Sequence, residues 1–423
     1  MVGKRIVTLC CCAILASASG LWVFAAPGGS EKAKHKSPHW PGWRGVARDG
    51  KSLDTGLLKS WPKGGPKLLW KIDGIGNGYS SVSIADGLIY ASGQKGADDV
   101  LVITAMTLAG KVKWTVKVGP GFTQNHPGAR STPTWNAGRL YIESGKGLVA
   151  CFDAKTGKKI WTRNLSEFEG QPGPWGYSES VLIVGDMAIV TPGGEEVGLV
   201  ALDKKTGKTI WKSKPFEEAN YTSPLHVMHD KVPMIVVGTA GGLLAVDART
   251  GKRFWVNQFS YGNTANVTTP VYDKGLLYWS NGYGMGGLCL KLKAAKGKIT
   301  AKEAWTTDKM SCQVGGYVVV GGHIYGFGDN TGWLCLEMAT GKQKWVSEDF
   351  QKGSICYADG MLYLYEEDGG AVALATASPK GLKITGRFSV EGEGNSWAHP
   401  VVAGGMLALR FGDNLYVYDV KRQ

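Results

Sequence analysis

Six segments hold most of the side chains that could grip a ligand: 74–81, 119–131, 169–180, 217–224, 261–270 and 392–400. They carry Asn77, Tyr79, Asn125, His126, Trp175, Tyr177, Tyr221, Asn263, Asn266, Trp397 and His399. A side-chain amide both donates and accepts, and an exposed Tyr or Trp face offers flat apolar area. Together they suit a sugar ring or a peptide. Residue by residue there is a competing reading, in which Asn and Gly shape turns and the rings wedge neighbouring elements apart. Taken as a set, the segments read as a binding face.

Other chemistry is poorly supported. His226 and His229 stand three apart on a strand pattern, so their side chains point to opposite faces and do not chelate together. Beyond the first 26 residues there are five cysteines: Cys151, Cys289, Cys312, Cys335 and Cys356. None forms a CxxC pair or a zinc-ligand spacing. Three of them occupy a position where other copies of a repeat carry Ala201 and Ala245, which marks a small buried strand site and inert thiols. No metal site and no catalytic residue is expected.

The elements that must position the binding segments are read from a repeat. ALDKKTGKTIW (201–211) returns as CFDAKTGKKIW ending at Trp161, AVDARTGKRFW at Trp255 and CLEMATGKQKW at Trp345, and more weakly as AMTLAGKVKW at Trp114. Another copy keeps Gly297 and Trp305 but inserts four residues between them. Apolar alternation interrupted by a Gly turn is a β-hairpin pattern, with Gly at the position that needs positive φ. A second element, strand–Gly turn–strand, occurs eight times, first as SVSIADGLIYAS (81–92) and last as HPVVAGGMLALRF (399–411). Each unit therefore has four strands, A to D, and the motif glycines recur every 44 to 50 residues. That period predicts an all-β, eight-bladed propeller of four-stranded antiparallel blades over 67–423. NLYVYDVKRQ at the C-terminus is a C strand lacking its D strand, and KLLW ending at Trp70 is a D strand lacking its C. Pairing them closes the ring and removes the free sheet edge. Trp70, Trp114, Trp161, Trp211, Trp255, Trp305 and Trp345 are expected to dock neighbouring blades, each indole N–H reaching a backbone acceptor.

Residues 1–25 read as a signal peptide: Lys4 and Arg5, then an uncharged apolar run, with Val23 and Ala25 suited to a cleavage site. Residues 26–66 read as a flexible leader followed by an N-terminal arm that Trp40, Trp43 and Trp61 pack across the body. No later stretch is long and apolar enough to span a membrane. Formal charge is +13, much of it on lysines of the repeated turns, such as Lys158, Lys204 and Lys208. These are solvated hairpin tips or a basic rim toward an anionic surface. No nucleic-acid module is recognisable.

The motif A-x-D-x-x-T-G-K-x-x-W at 201–211 and 245–255 resembles the tryptophan-docking repeat of the PQQ-like (pyrroloquinoline-quinone) propeller family. WPGWRGVARDG (40–50) and WGYSES (175–180) resemble exported planctomycete-type members, which are described by similarity to outer-membrane assembly factor BamB. The resemblance implies a non-catalytic binding or scaffold propeller of the periplasm or cell envelope. Its partners would be envelope proteins or a peptide or glycan, and the chain would be a monomer. The family also contains quinoprotein dehydrogenases, which keeps two alternatives open: a PQQ-dependent enzyme and a polysaccharide-binding propeller. Such enzymes carry two adjacent cysteines over the quinone and carboxylates on a Ca²⁺. Here the only adjacent cysteines, Cys10 to Cys12, fall in the signal segment, so neither PQQ nor Ca²⁺ is expected.

Overall fold

Each repeat turn is held by its own side chains. Asp203 accepts from the backbone N–H of Lys205 (3.0 Å) and Thr206 (2.8 Å) and from the Thr206 hydroxyl (2.8 Å), and Asp153 does the same for Thr156. The strands on either side then pair with a one-residue slip: Ala201 faces Trp211, but Leu202 faces Thr209. All eight C–D ladders contain such a slip. Opposite six of the seven tryptophans stand the small side chains Ala105, Cys151, Ala201, Ala245, Cys289 and Cys335, while Trp70 faces Val417.

The structure, a computed structural model, describes residues 37–96 and 99–422. The signal segment and Cys10 to Cys12 lie outside the described residues. Eight four-stranded antiparallel sheets form the ring. Blades 1 to 7 span 83–120, 134–164, 182–212, 225–257, 271–307, 317–347 and 353–389. Blade 8 takes strands A to C from Val401–Ala403, Met406–Phe411 and Asn414–Asp419, and its outer strand from Lys67–Ile72. Lys67 pairs with Asp419 and Ile72 with Leu415, so the expected closure is present. Apolar clusters fill the spaces between successive blades. Among the described residues no helix is long and apolar enough to cross a membrane.

Five of the seven indoles, those of Trp70, Trp114, Trp161, Trp211 and Trp305, lie on the next blade's turn glycine. A methyl group on Gly110 would stand 2.7 Å from Trp70, on Gly251 2.4 Å from Trp211, and on Gly341 2.6 Å from Trp305. Five of the seven indole N–H groups donate to a carbonyl of the next blade: Trp70 to Leu108, Trp114 to Lys155, Trp161 to Lys204, Trp305 to Met338 and Trp345 to Ser378, at 2.8–3.1 Å. The expectation fails at two. Trp211 keeps its glycine seat but its N–H has no acceptor, and Trp255 lacks an acceptor too. The insertion in blade 5 explains Trp255. It lengthens the Gly286–Ala295/Lys298–Thr307 hairpin and carries Gly297 away, leaving nothing within 4 Å of a Cβ there.

The arm does more than lie across the body. It enters the central channel from the side of the A–B turns. Trp40 exchanges backbone hydrogen bonds with Ile84 (both 2.7 Å), Trp135 N–H donates to Pro41 O (2.6 Å), and Tyr357 N–H donates to Gly50 O (2.9 Å). Arg48 donates to the carbonyls of Ser180 (2.9 Å), Pro224 (3.0 Å) and Val181. Trp43 Nε1 donates to Thr269 Oγ1 (2.9 Å), and Arg44 reaches Tyr317 O and His399. The innermost strand of every blade, or the residues just ahead of it, is thus touched by residues 40–52. The chain then crosses to the perimeter, where Trp61 packs on Phe388 (5.2 Å between rings) and Gly65 lies beneath Phe388.

Candidate functional site

The D–A loops gather at the channel mouth opposite the arm's entry, on the other face from the Lys-rich C–D turns. They surround a cavity of ≈ 260 Å³. Six of the eleven candidate residues line it: Tyr79, His126, Trp175, Tyr221, Trp397 and His399. Two aromatic walls result. On one side Trp397 packs on Tyr79 (4.8 Å) and edge-on to His126 (5.0 Å). On the other, Trp175 meets Tyr221 edge-on at 5.6 Å. Gly173 lets them approach, since a Cβ there would stand 2.9 Å from the Tyr221 hydroxyl.

The other five candidates do not line the cavity. Asn77 and Asn125 sit at the rim and staple successive loops, donating to Pro127 O (3.3 Å) and Pro174 O (3.1 Å). Asn266 is fully buried; it accepts from Ser260 Oγ (2.6 Å) and Asn263 Nδ2 (3.0 Å) and donates to Thr239 O (2.8 Å). Asn263 closes the same loop by donating to Ala265 O (3.0 Å). Tyr177 is buried, with its hydroxyl on Pro192 O (2.8 Å). For these residues the turn-and-wedge reading describes the side chain, because a loop must satisfy its own carbonyls before it can offer groups outward.

Several lining residues carry no repeat signal. Trp43 and Arg44 form the floor, contributed by the arm, and Trp43 packs on His399 at 4.7 Å. Arg130, Tyr283, Gln313 and Glu367 complete the lining at the sides. The glycine-flanked arginines of WRGVARDG, in a stretch with no strand pattern, were the available clue to the floor.

The electrostatics of the mouth are positive. Arg44 is buried, its Nη2 donates to Tyr317 O and Asp49 O (3.2 Å), and its Nε has no partner. Burial holds its pKa below the usual value. Arg130 lies over Phe122 (4.7 Å) and Tyr79 (5.9 Å) and donates only to the carbonyls of Asn125, His126 and Gly128 (2.6–2.8 Å). Burial lowers it to about 10. Arg48 at the arm and Arg410 on the second strand of blade 8 likewise bond to carbonyls and hydroxyls. None of the four forms an ion pair among the described residues. His399 is pushed down to about 3 by burial and then by the charge of Arg44, so it stays neutral. Glu367, which lines the cavity, is paired to Lys352 (3.2 Å), which also holds Asp329 (3.2 Å).

Cys151, Cys289, Cys312, Cys335 and Cys356 are all free and buried. Burial raises Cys151 and Cys335 to about 11 and Cys289, Cys312 and Cys356 to about 12. Thiols held this far from ionisation are packing groups. His229 bonds Tyr272 (3.0 Å), while His226 faces the opposite end of the channel with Nε2 unpartnered.

Eight four-stranded blades of this repeat, closed by joining the first strand to the last blade, define a PQQ-like repeat propeller. The chain belongs to the family described as outer membrane protein assembly factor BamB, whose profile matches residues 99–347. One relative is an outer membrane protein assembly factor BamB of Moranella endobia, 24% identical over 254 residues, covering 57% of this chain and 63% of that one. Another is a quinohemoprotein alcohol dehydrogenase of Comamonas testosteroni, 29% identical over 152 residues, covering 32% of this chain and 20% of the enzyme. The match thus spans less than two thirds of the length of these curated relatives. Among solved structures, BamB from Moraxella catarrhalis superposes with a TM-score of 0.60 at 15% identity, over 84% of this chain and 99% of that one. The Comamonas dehydrogenase gives 0.63 at 15%, over 91% and 81%. At these identities the superpositions show a shared fold.

Dehydrogenases that share the fold raise the question of a calcium-bound quinone. Such a centre needs oxygen ligands around the cation and a free carboxylate base. The cavity lining contains one carboxylate, Glu367, already committed to Lys352. Among the described residues no three His, Cys, Asp or Glu side chains stand together as a metal-ligand set. These residues do not fit that centre.

Proposed function

We propose that this chain is a non-catalytic binding or scaffold propeller of the bacterial cell envelope, related in role to outer membrane protein assembly factor BamB. It is exported to the periplasm, acts as a monomer, and uses the D–A loop face to hold an envelope protein, peptide or glycan. The carrying observation is that the mouth's buried histidine and its one lining carboxylate are each already engaged. His399 is neutral between Arg44 and Val314 O, and Glu367 is tied to Lys352. Catalysis needs a group free to move a proton or attack, whereas binding needs shape, aromatic area and fixed charge. The family match supports the envelope setting. The seven recurring tryptophans belong to blade docking in this reading, so the ligand face is free to vary.

The test is co-purification from envelope extract. The proposal expects an outer-membrane assembly component to be retained by the full chain and lost when Trp175 and Trp397 are both replaced by Ala. Recovery of none would remove the assembly role. Reduction of an artificial electron acceptor by alcohols or sugars, after addition of PQQ and Ca²⁺, would overturn the non-catalytic reading.

A further inference from the structure

The mouth has a floor. Residues 40–50 close the channel beneath Trp43 and Arg44, so a ligand enters and leaves by the same opening. A dead-end cavity of ≈ 260 Å³ accepts the end of a chain, about the bulk of one or two rings, and not a strand threaded through the ring. Its walls are flat aromatic faces, Trp397 with Tyr79 and Trp175 with Tyr221. Its cations are Arg130 on the wall and Arg44 at the floor, whose partners are carbonyl oxygens and, for Arg44, His399, while the one lining carboxylate, Glu367, is ion-paired with Lys352. Arg44 also keeps a buried Nε without a hydrogen bond. A cation surrounded by neutral acceptors favours an anionic visitor, since desolvated charge gains most from an opposite charge.

We propose that this mouth binds the terminal residue of an acidic polysaccharide, a uronic acid whose ring stacks between the aromatic walls and whose carboxylate faces Arg130 above Arg44. A peptide end is the less suited occupant. One mode of peptide capture adds a strand to a free sheet edge, and here the inner edges below the mouth are engaged by the arm at Ile84, Val181 and Tyr357. Sugar rings need none; they present an apolar face to the indole and hydroxyls to polar groups at the side such as Gln313, whose Nε2 gives one of its protons to Tyr283 Oη (3.0 Å).

This inference rests on the binding reading of the D–A face and not on any protein partner, so the two fail separately. The experiment is titration of the purified full chain with a galacturonic acid trisaccharide and with the neutral galactose trisaccharide, followed by indole fluorescence and calorimetry. The acidic sugar is expected to saturate and to bind at least about tenfold more tightly, the worth of one charge-assisted hydrogen bond. Arg130→Gln should erase that preference, and Trp397→Ala should weaken both sugars while the melting temperature stays close to the parent's. Equal affinity for the two sugars, no saturable signal with the acidic one, or an unchanged preference in Arg130→Gln overturns the proposal. So does tighter binding of a short peptide with a free aromatic C-terminus. Loss of envelope co-purification, by contrast, leaves the titration result standing.

Discussion

Trp161 lies face-down on Gly207 of the following blade, close enough that a methyl group at Gly207 would stand 2.9 Å from the indole, while its Nε1 donates to Lys204 O at 3.1 Å. One glycine thus meets two demands: a left-handed turn (φ +73°) and an open seat for a neighbour's ring. The interlock is local, but repeated around the ring it converts eight marginal sheets into one body.

The two demands can be separated. Gly207 and Gly297 have nearly the same φ (73° and 72°), yet a Cβ on Gly297 meets nothing within 4 Å. Gly297→Ala should cost only the left-handed penalty, about 1–2 kcal/mol. Gly207→Ala adds the indole clash and should cost about 1–3 kcal/mol more. Trp161→Ala should lose about 3–5 kcal/mol. Thermal and urea denaturation of the three variants checks the order.

Arg48 should prove structural. It is buried and supplies the donors for the carbonyls of Ser180, Val181 and Pro224, on two different blades. Arg48→Met fills similar volume but strands those acceptors, at about 1–3 kcal/mol for a buried polar group left unsatisfied. Limited proteolysis should then cut the arm between residues 37 and 66 faster than in the parent.

Two buried carboxyls set the alkaline behaviour. Glu143 has no hydrogen-bond donor on either oxygen, and burial, followed by the charge of Glu179, raises its pKa well above the usual carboxylate range. Glu179 accepts from Thr191 N–H (2.7 Å) and Oγ1 (2.6 Å), and burial raises it too. A carboxyl whose folded pKa is raised holds its proton longer in the native state. Its contribution is therefore complete below the ordinary Glu value and is lost as pH rises through the folded one. Glu143→Gln removes the loss. The variant should melt higher than the parent at pH 8, by an amount on the order of 1 kcal/mol, and the gap should close on acidification.

Histidines set the acid limb. His399 is lowered to about 3 and His226 to about 4, in both cases chiefly by burial. Between their ordinary value near 6.5 and these folded values, the unfolded chain binds protons that the native one refuses, so stability falls as pH drops. His399→Gln should flatten that fall between pH 7 and 4, as measured by melting temperature. Because His399 is neutral throughout this window, ligand binding at the mouth should not titrate with it.

Much of the ring was legible before any coordinates. Gly-to-Trp spacing around Trp161, Trp211 and Trp345 marked the D strands, and an orphan strand at each end of the repeat array marked the closure. The binding mouth was only half legible. Trp175, Tyr221 and Trp397 belong to it, but Asn77, Asn125 and Asn266 spend their amides inside or between loops, which depends on loop backbone and leaves no trace in spacing. Arg44 and Trp43 were missed as ligand-facing groups because the arm has no repeat partner against which to notice them. The indole acceptors of Trp211 and Trp255 failed for a related reason: the motif describes an average blade, and these positions depart from it.

The joined strands of blade 8 also impose an order on the life of the chain. Lys67–Ile72 is made first and must wait for Asn414–Asp419, made last, before it has a neighbour. Until that moment the Lys67–Ile72 strand has an unpaired edge, although the Trp70 indole already has its seat at Gly110 and Leu108 O of blade 1. A chain cut short before Asn414 lacks this pairing and leaves the ring open at blade 8.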